Sequence, residues 1–130
     1  HTTHVSAAPI EGSGAAGHYS VAITVTNDGL ASCTLHGFPG VSMVYGDHGT
    51  QLGAPAIWAG HKGRMVGVAP GQSASTEVRV TQAGNVCDPV DARGLRVYLP
   101  WETRSQYAPL PMQGCHTHQV SLMRVKAFGA

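Results

Sequence analysis

The chain of 130 residues is long enough to bury one hydrophobic core and too short for two domains. Only 12% of its residues are charged, about half the usual share of ~25%, so its surface must be largely uncharged and polar. A net charge of +1 gives the chain no strong positive potential, which argues against a protein that binds nucleic acid or anionic lipid through its overall charge. No apolar run approaches the ~18 residues that span a bilayer, so we expect no transmembrane segment.

Alternating apolar and polar residues predict short strands along the whole chain. The clearest strand, residues 19–26, stops at Asn27, Asp28 and Gly29, residue types that tolerate positive φ. Further strands are predicted at residues 32–35, 41–45, 65–69, 73–81, 95–99 and 120–125.

These strands are separated by Gly, Pro or Asn, which is typical of an all-β fold. We predict a single domain over residues 1–130, an immunoglobulin-like antiparallel β-sandwich of about seven or eight short strands. One helical turn is expected at residues 88–93. Residues 53–63 and 101–114 are predicted to be loops, the second because Pro109 and Pro111 cannot donate to a strand ladder.

Two segments look like catalytic or cofactor motifs. Residues 12–17 match the dinucleotide fingerprint GxGxxG, but that motif needs a helix after it and here a strand follows. Residues 71–75 resemble a nucleophile elbow, yet they lack its final Gly and open a strand. The seven carboxylates show no pairing suited to general acid–base work. We therefore predict no enzymatic activity and no cofactor.

The eight histidines suggest an alternative role in metal binding. If the first and last strands lie side by side and parallel, His4, His116, His118 and also His1 meet, and clustered imidazoles suit copper or zinc. A second alternative is that His1 chelates copper through its amine and its ring, as in copper-dependent polysaccharide monooxygenases. The simpler interpretation is that these histidines are exposed polar residues near the termini.

Cys33, Cys87 and Cys115 occur without a metal or redox motif around them, which predicts an oxidising compartment and a disulfide-stabilised fold. An odd count leaves three alternatives for the remaining cysteine: a free thiol, an intermolecular bridge, or a partner outside the sequence.

Several segments together resemble a known family. The most specific is residues 33–42, Cys-Thr-Leu-His-Gly-Phe-Pro-Gly-Val-Ser; the others are residues 14–18, 26–29, 49–54, 69–74, 87–90 and 94–100, with Cys115. They resemble the domain of unknown function 4232, found in actinobacterial secreted proteins and lipoproteins. The resemblance implies export, to the medium or to the outer face of the membrane, and a β-sandwich without catalytic residues.

The resemblance also implies four cysteines, the first of which would stand immediately before His1, ahead of a strand opened by Val5. On that basis we expect Cys33 to pair with Cys87, and Cys115 to pair with the cysteine that precedes His1.

Three aromatic residues in predicted loops, Trp58, Trp101 and Tyr107, are the candidate partner-binding residues. We expect a monomeric, non-enzymatic binding or structural module of the cell envelope whose partner is an envelope protein or glycan. The alternative is that one or both tryptophans fold back and plug an end of the sandwich.

Overall fold

The computed structural model describes residues 2–130, and its regular structure is almost entirely strand. The strands are β1 (Thr3–Pro9), β2 (His18–Asn27), β3 (Cys33–Leu35), β4 (Gly40–Tyr45), β5 (Thr50–Leu52), β6 (Ile57–Trp58), β7 (Val66–Val68), β8 (Ser73–Thr81), β9 (Val90–Tyr98), β10 (Ser105–Gly114) and β11 (Met123–Val125). A single 3-10 turn, Ala83–Asn85, follows β8. The predicted all-β class is confirmed, with eleven strands in place of seven or eight, because β5 and β6 are too short to show alternation and β10 contains two prolines.

The strands form two larger sheets and a small one. The order is β1-β2-β8-β11-β6 in the five-stranded sheet and β10-β9-β4-β5 in the four-stranded sheet, while β3 pairs with β7. Every pair is antiparallel except β6 with β11. The immunoglobulin-like strand arrangement stays a prediction.

Alternation along the long strands explains where the core lies. Val21, Ile23 and Val25 of β2 are buried, and they belong to the same buried cluster as Met43 of β4 and Leu95 of β9. Each such side chain contributes roughly 1.5–3 kcal/mol by leaving water. Because this one cluster draws on both larger sheets, the two sheets pack around a shared core.

Three local predictions are wrong. The loop expected at residues 53–63 is interrupted by β6, Ile57–Trp58. The helical turn expected at residues 88–93 is instead the start of β9, and the short helix lies earlier, at Ala83–Asn85. The loop expected at residues 101–114 becomes strand from Ser105 onward. Pro109 and Pro111 are tolerated there because β10 is an edge strand, and its register with β9 shifts between Pro109 and Met112.

The terminal strands do not lie side by side. β1 pairs with β2, whereas β11 lies between β8 and β6, so two strands separate them. The prediction of a parallel terminal pair is wrong because β11 pairs with the edge of β8 that faces away from β2, on the opposite side of β2 and β8 from β1.

The disulfide joins Cys87 to Cys115, which are 28 residues apart, and the expected Cys33–Cys87 pairing is wrong. Cys33 lies on β3, where it is buried opposite Val68 of the small sheet. Cys87 follows the 3-10 turn that continues β8, and Cys115 follows β10. The bridge therefore links the ends of strands that belong to the two larger sheets. The expected pairing of Cys115 with a cysteine preceding His1 is wrong as well, because Cys115 is bonded to Cys87.

The turn after β2 depends on side-chain hydrogen bonds. Asn27 is 1% exposed, and its Nδ2 donates to the carbonyl oxygens of Ala31 and Val68 at 2.8 and 2.9 Å. Its Oδ1 accepts from the Gly29 amide at 2.9 Å. The expected turn is present, but none of residues 27–29 has a positive φ. The Asn27 amide group therefore satisfies two polar groups of the turn and the Val68 carbonyl oxygen of β7.

The outer face of the five-stranded sheet is polar and includes one ion pair, between Lys126 Nζ and Glu77 Oε1 at 3.0 Å. The pKa of the Glu77 carboxyl is lowered, first by a hydrogen bond from the Ser20 side chain and then by Lys126. Since both interactions favour the ionised carboxylate, Glu77 stabilises the fold only while it is charged.

Replacing Glu77 with Gln is expected to lower the free energy of unfolding at neutral pH by a few tenths of a kcal/mol, a small effect because the pair is exposed and screened. A carboxyl with a lowered pKa contributes its stabilisation above its unfolded pKa of about 4.3 and loses it as the pH falls through the folded pKa. Urea unfolding of both proteins should therefore show a difference at pH 7 that closes below about pH 4. Glu11→Gln, at an exposed carboxylate, is the control; a difference that persists in acid would contradict the assignment.

Candidate functional site

The histidines proposed as metal ligands lie in separate places. Among residues 2–130, no group of three or more His, Cys, Asp or Glu side chains is placed to hold a metal ion. His4 Nδ1 lies 2.6 Å from Asp28 Oδ2, and the ring of His116 meets the edge of Tyr45 at 5.3 Å. His118 is exposed beyond the end of β10. His1 lies outside the described residues.

The separation follows from the course of β10. Gln106, near the start of that strand, donates to Thr3 Oγ1 at 2.9 Å, which fixes the beginning of β1 there. His116 comes after the other end of β10, about 30 Å of strand away at ~3.3 Å per residue. His4 therefore lies at the opposite end of β10 from His116 and His118.

The segments that resemble catalytic motifs have structural roles. In the segment 12–17, Gly12, Ala16 and Gly17 have positive φ values and turn the chain into β2. Ser73, in the elbow-like segment, has its hydroxyl 2.8 Å from that of Thr26 on the neighbouring strand. Its partner is thus another hydroxyl on an exposed sheet face, and not an imidazole base.

Trp58 is exposed and yet held in one orientation. Its ring stacks on Phe38, with centroids 5.2 Å apart and planes 5° from parallel. Its Nε1 donates to the Pro39 carbonyl oxygen at 3.1 Å. The side chain remains 60% exposed. One ring face is therefore covered by Phe38, while the other is open to solvent.

The surroundings of Trp58 are basic and aromatic. Lys62 lies against Gly37, where its Cε is 3.5 Å from the Cβ position of that glycine, next to Phe38. On the other side of Pro39, the ring of Tyr98 lies over Gly40. Between residues 29 and 76 the only acidic residue is Asp47. We call Phe38, Trp58 and Lys62 the Trp58 surface.

Trp101 occupies a different environment. It lies in the turn after β9, is half-buried and packs against the core cluster. Its Nε1 donates to Glu102 Oε1 at 3.0 Å. The alternative in which a tryptophan folds back onto the sandwich therefore describes Trp101, whereas Trp58 points outward.

Tyr107 lines a small pocket on the outer face of the four-stranded sheet, on β10. Its hydroxyl donates to the Arg93 carbonyl oxygen at 2.9 Å, and the side chain is 52% exposed. The pocket has a volume of about 260 Å³ and is lined by Val44, Gly46, Asp47, Gly49, Arg93 and Tyr107. The structure does not bring Tyr107, Trp101 and Trp58 into one surface.

A wider, open cleft of about 460 Å³ lies between the start of β2 and the second half of β10. Tyr19 lines it, and burial raises the pKa of that phenol. Its acidic residue, Asp91, accepts a long hydrogen bond of 3.4 Å from Gln113. Burial disfavours the phenolate, so the Tyr19 hydroxyl stays protonated at neutral pH, as an ordinary phenol does.

Comparison with known proteins gives a family. The model of a domain of unknown function, DUF4232, matches residues 1–129 of the chain. The chain belongs to this family. No curated protein matches it. Within residues 2–130 of this DUF4232 domain, no helix is long and apolar enough to cross a membrane.

The segment on which the resemblance to DUF4232 was most specific, residues 33–42, also supports Trp58. It contains Phe38, which stacks on the indole, and Pro39, whose carbonyl accepts the indole hydrogen bond. The sequence indicates Phe38 and Pro39 only through the family resemblance and does not connect them with Trp58. One feature of the sequence could have indicated this role for Phe38. A large aromatic residue between glycine and proline lies in a turn, where core packing does not require it.

Tyr98 is not among the candidate binding residues that the sequence predicts. The structure leaves it 40% exposed on the same sheet face as Tyr107. Each tyrosine lies over a glycine of a neighbouring strand, Gly40 under Tyr98 and Gly94 under Tyr107. A glycine opposite an aromatic residue on a neighbouring strand indicates such a ring, but the two residues can be paired only when the strand register is known.

Proposed function

We propose that this DUF4232 domain is an exported, non-enzymatic binding module of the cell envelope, and that it binds an anionic glycan through the Trp58 surface. The observation that carries the proposal is the exposed indole, held in place by a ring stack and a hydrogen bond. The Cys87–Cys115 disulfide supports an oxidising compartment, where such bonds persist.

A rigid exposed indole favours binding for two reasons. Tryptophan is normally among the more buried residues, so leaving its ring face in water forgoes a large hydrophobic gain. Because its orientation is already fixed, a partner loses little side-chain entropy on contact. The indole N–H is already used by Pro39, which leaves the ring face as the recognition element. A ring face pairs well with the apolar face of a sugar.

The charge around the indole supports an anionic glycan. Lys62 lies beside Phe38, and Arg64 and His61 are exposed in the same connection between β6 and β7. Since no acidic residue occurs between Asp47 and Glu77, this connection has no opposing charge of its own. Carboxylate or phosphate groups along a glycan chain would be attracted to it, with an affinity that falls as salt is raised.

Co-sedimentation with purified, insoluble cell walls tests the proposal. The wild-type protein is expected to bind, and Trp58→Ala to weaken binding about tenfold, the loss that corresponds to one aromatic contact. Trp58→Phe, which keeps a ring against Phe38, should retain most of the binding. Val120→Ala, which removes another exposed apolar side chain (52% exposed), is the matched control and should bind like the wild type.

Two results would contradict this function. One is unchanged sedimentation of Trp58→Ala with its fold verified by circular dichroism. The other is binding that survives chemical removal of the anionic polymers from the walls, which would point to a wall protein or a neutral polymer instead.

A further inference from the structure

The pocket beside Tyr107 has features that are independent of the Trp58 surface. Val44, which is 3% exposed, forms its floor, and the β4–β5 turn at residues 46–49 forms one wall. The opposite wall is the ring of Tyr107. At about 260 Å³ the pocket is slightly smaller than the ~300 Å³ lower end of sites for drug-sized molecules, so it suits a ligand of one ring.

The Tyr107 ring is fixed against the sheet. A Cβ placed on Gly94 would lie only 2.8 Å from Tyr107 Cε1, so the ring covers this glycine closely. The Tyr107 hydroxyl donates a hydrogen bond to the Arg93 carbonyl oxygen, and this bond opposes rotation of the ring away from the sheet. With one face on the sheet and 52% of the side chain exposed, the other face is presented to the pocket.

Two arginines hold the turn that faces this ring. Arg93 Nη1 lies 3.3 Å from both the Gly46 carbonyl oxygen and Asp47 Oδ1, and Arg96 Nη2 donates to the Gly49 carbonyl oxygen. Both members of the Arg93–Asp47 pair have exposed side chains at the rim of the pocket, at 58% and 94%. The rim therefore offers hydrogen-bond donors and acceptors side by side, with no net charge.

We propose that this pocket binds a neutral sugar residue, whose apolar face stacks on Tyr107 and whose hydroxyls bond to Asp47 and Arg93. An apolar floor and an aromatic wall select for a ring with a hydrophobic face. A sugar hydroxyl both donates and accepts, so it can bridge a carboxylate and a guanidinium together. An anionic ligand would be repelled by Asp47 and a cationic one by Arg93, so a neutral ligand is the one that can contact both members of the pair.

Protein-observed NMR titration tests this assignment with glucose, galactose, mannose and N-acetylglucosamine as neutral probes and glucuronate and glucosamine as charged ones. At least one neutral sugar is expected to cause saturable shifts of the Gly46, Gly49 and Arg93 amides, with a Kd of about 1 mM for a ligand of this size. Tyr107→Ala should weaken binding about tenfold. Tyr107→Phe keeps the ring and loses only one hydrogen bond, so its Kd should stay within about threefold of the wild type.

Asp47→Asn, on an exposed turn, gives a second variant whose folding is not in question, and it should weaken neutral sugars about threefold or more because charged acceptors bond more strongly. The proposal is overturned if no neutral probe causes saturable shifts at the pocket, or if glucuronate binds more tightly than every neutral sugar. Shifts confined to the Trp58 indole would overturn it as well, while agreeing with glycan binding at the Trp58 surface.

Discussion

Replacing Asn27 with alanine is expected to lower the free energy of unfolding by about 3–4 kcal/mol, a large part of the ~5–15 kcal/mol that holds a domain of this size folded. The variant loses hydrogen bonds to Ala31, Val68 and Gly29, and in this buried place water cannot replace all three. Each polar group left without a partner costs ~1–3 kcal/mol. The Val68 bond also ties β2 to the small sheet, so loosening there should accompany the loss. Urea unfolding followed by tryptophan fluorescence measures the effect.

Two further variants separate the hydrogen bonds from packing. Asn27→Asp has the same size and keeps the acceptor for the Gly29 amide, but it removes both donors at neutral pH, so it should be destabilised almost as much as Asn27→Ala. Thr24→Ala removes a hydroxyl pair with Ser75 on the exposed face of the same strand and should cost less than about 1 kcal/mol. A small loss for Asn27→Ala, similar to that of Thr24→Ala, would show that the Asn27 bonds contribute little.

The strands that could be predicted are those whose pattern is set by local contacts. β2 and β8 are paired on both edges and have one face in the core, so they alternate strictly, and residues 73–81 coincide with their predicted bounds. Residues 19–26 fall one residue short of β2 at each end. In both strands the alternation of apolar and polar residues predicts the strand because burial of every second side chain is what produces that alternation.

β10 could not be predicted because its identity depends on its place in the sheet. Pro109 and Pro111 exclude a central strand but not an edge strand with a bulge, and nothing local in the sequence says that a strand will be at the edge. The order of strands is equally non-local. The strand order separates β1 from β11, and His4 is therefore not brought together with His116 and His118.

The candidate binding residues illustrate the same limit. Trp58 and Tyr107 could be named from the sequence because an aromatic side chain outside a strong core pattern is unusual. The residues that hold them in place could not be named. Phe38, which stacks on Trp58, is 20 positions away in the sequence, and Arg93, which accepts the hydrogen bond of Tyr107, lies on the neighbouring strand. Only the register between β9 and β10 brings the Arg93 carbonyl under the Tyr107 hydroxyl.

Breaking the Cys87–Cys115 disulfide by a Cys87→Ala/Cys115→Ala double substitution is expected to lower the free energy of unfolding by roughly 3.5 kcal/mol, the chain-entropy value for a closed loop of this length. The bridge closes the segment containing β9 and β10, and it connects that segment to the chain that follows β8. Without it the unfolded chain gains conformations, while the native structure loses two sulfur atoms, one of them on the buried Cys115. Thermal unfolding should therefore show a large drop in Tm with native-like spectra at low temperature.

The pairing itself can be tested without any substitution, because cleavage after Lys and Arg puts the three cysteines on three peptides. Cys87 lies in residues 80–93 and Cys115 in residues 105–124, while Cys33 lies within residues 1–62. Mapping under non-reducing conditions should recover the peptide of residues 80–93 joined to the peptide of residues 105–124. If the peptide of Cys33 is joined to that of Cys87 instead, the two larger sheets lack this covalent link, and the double substitution should then destabilise the protein through a different loop.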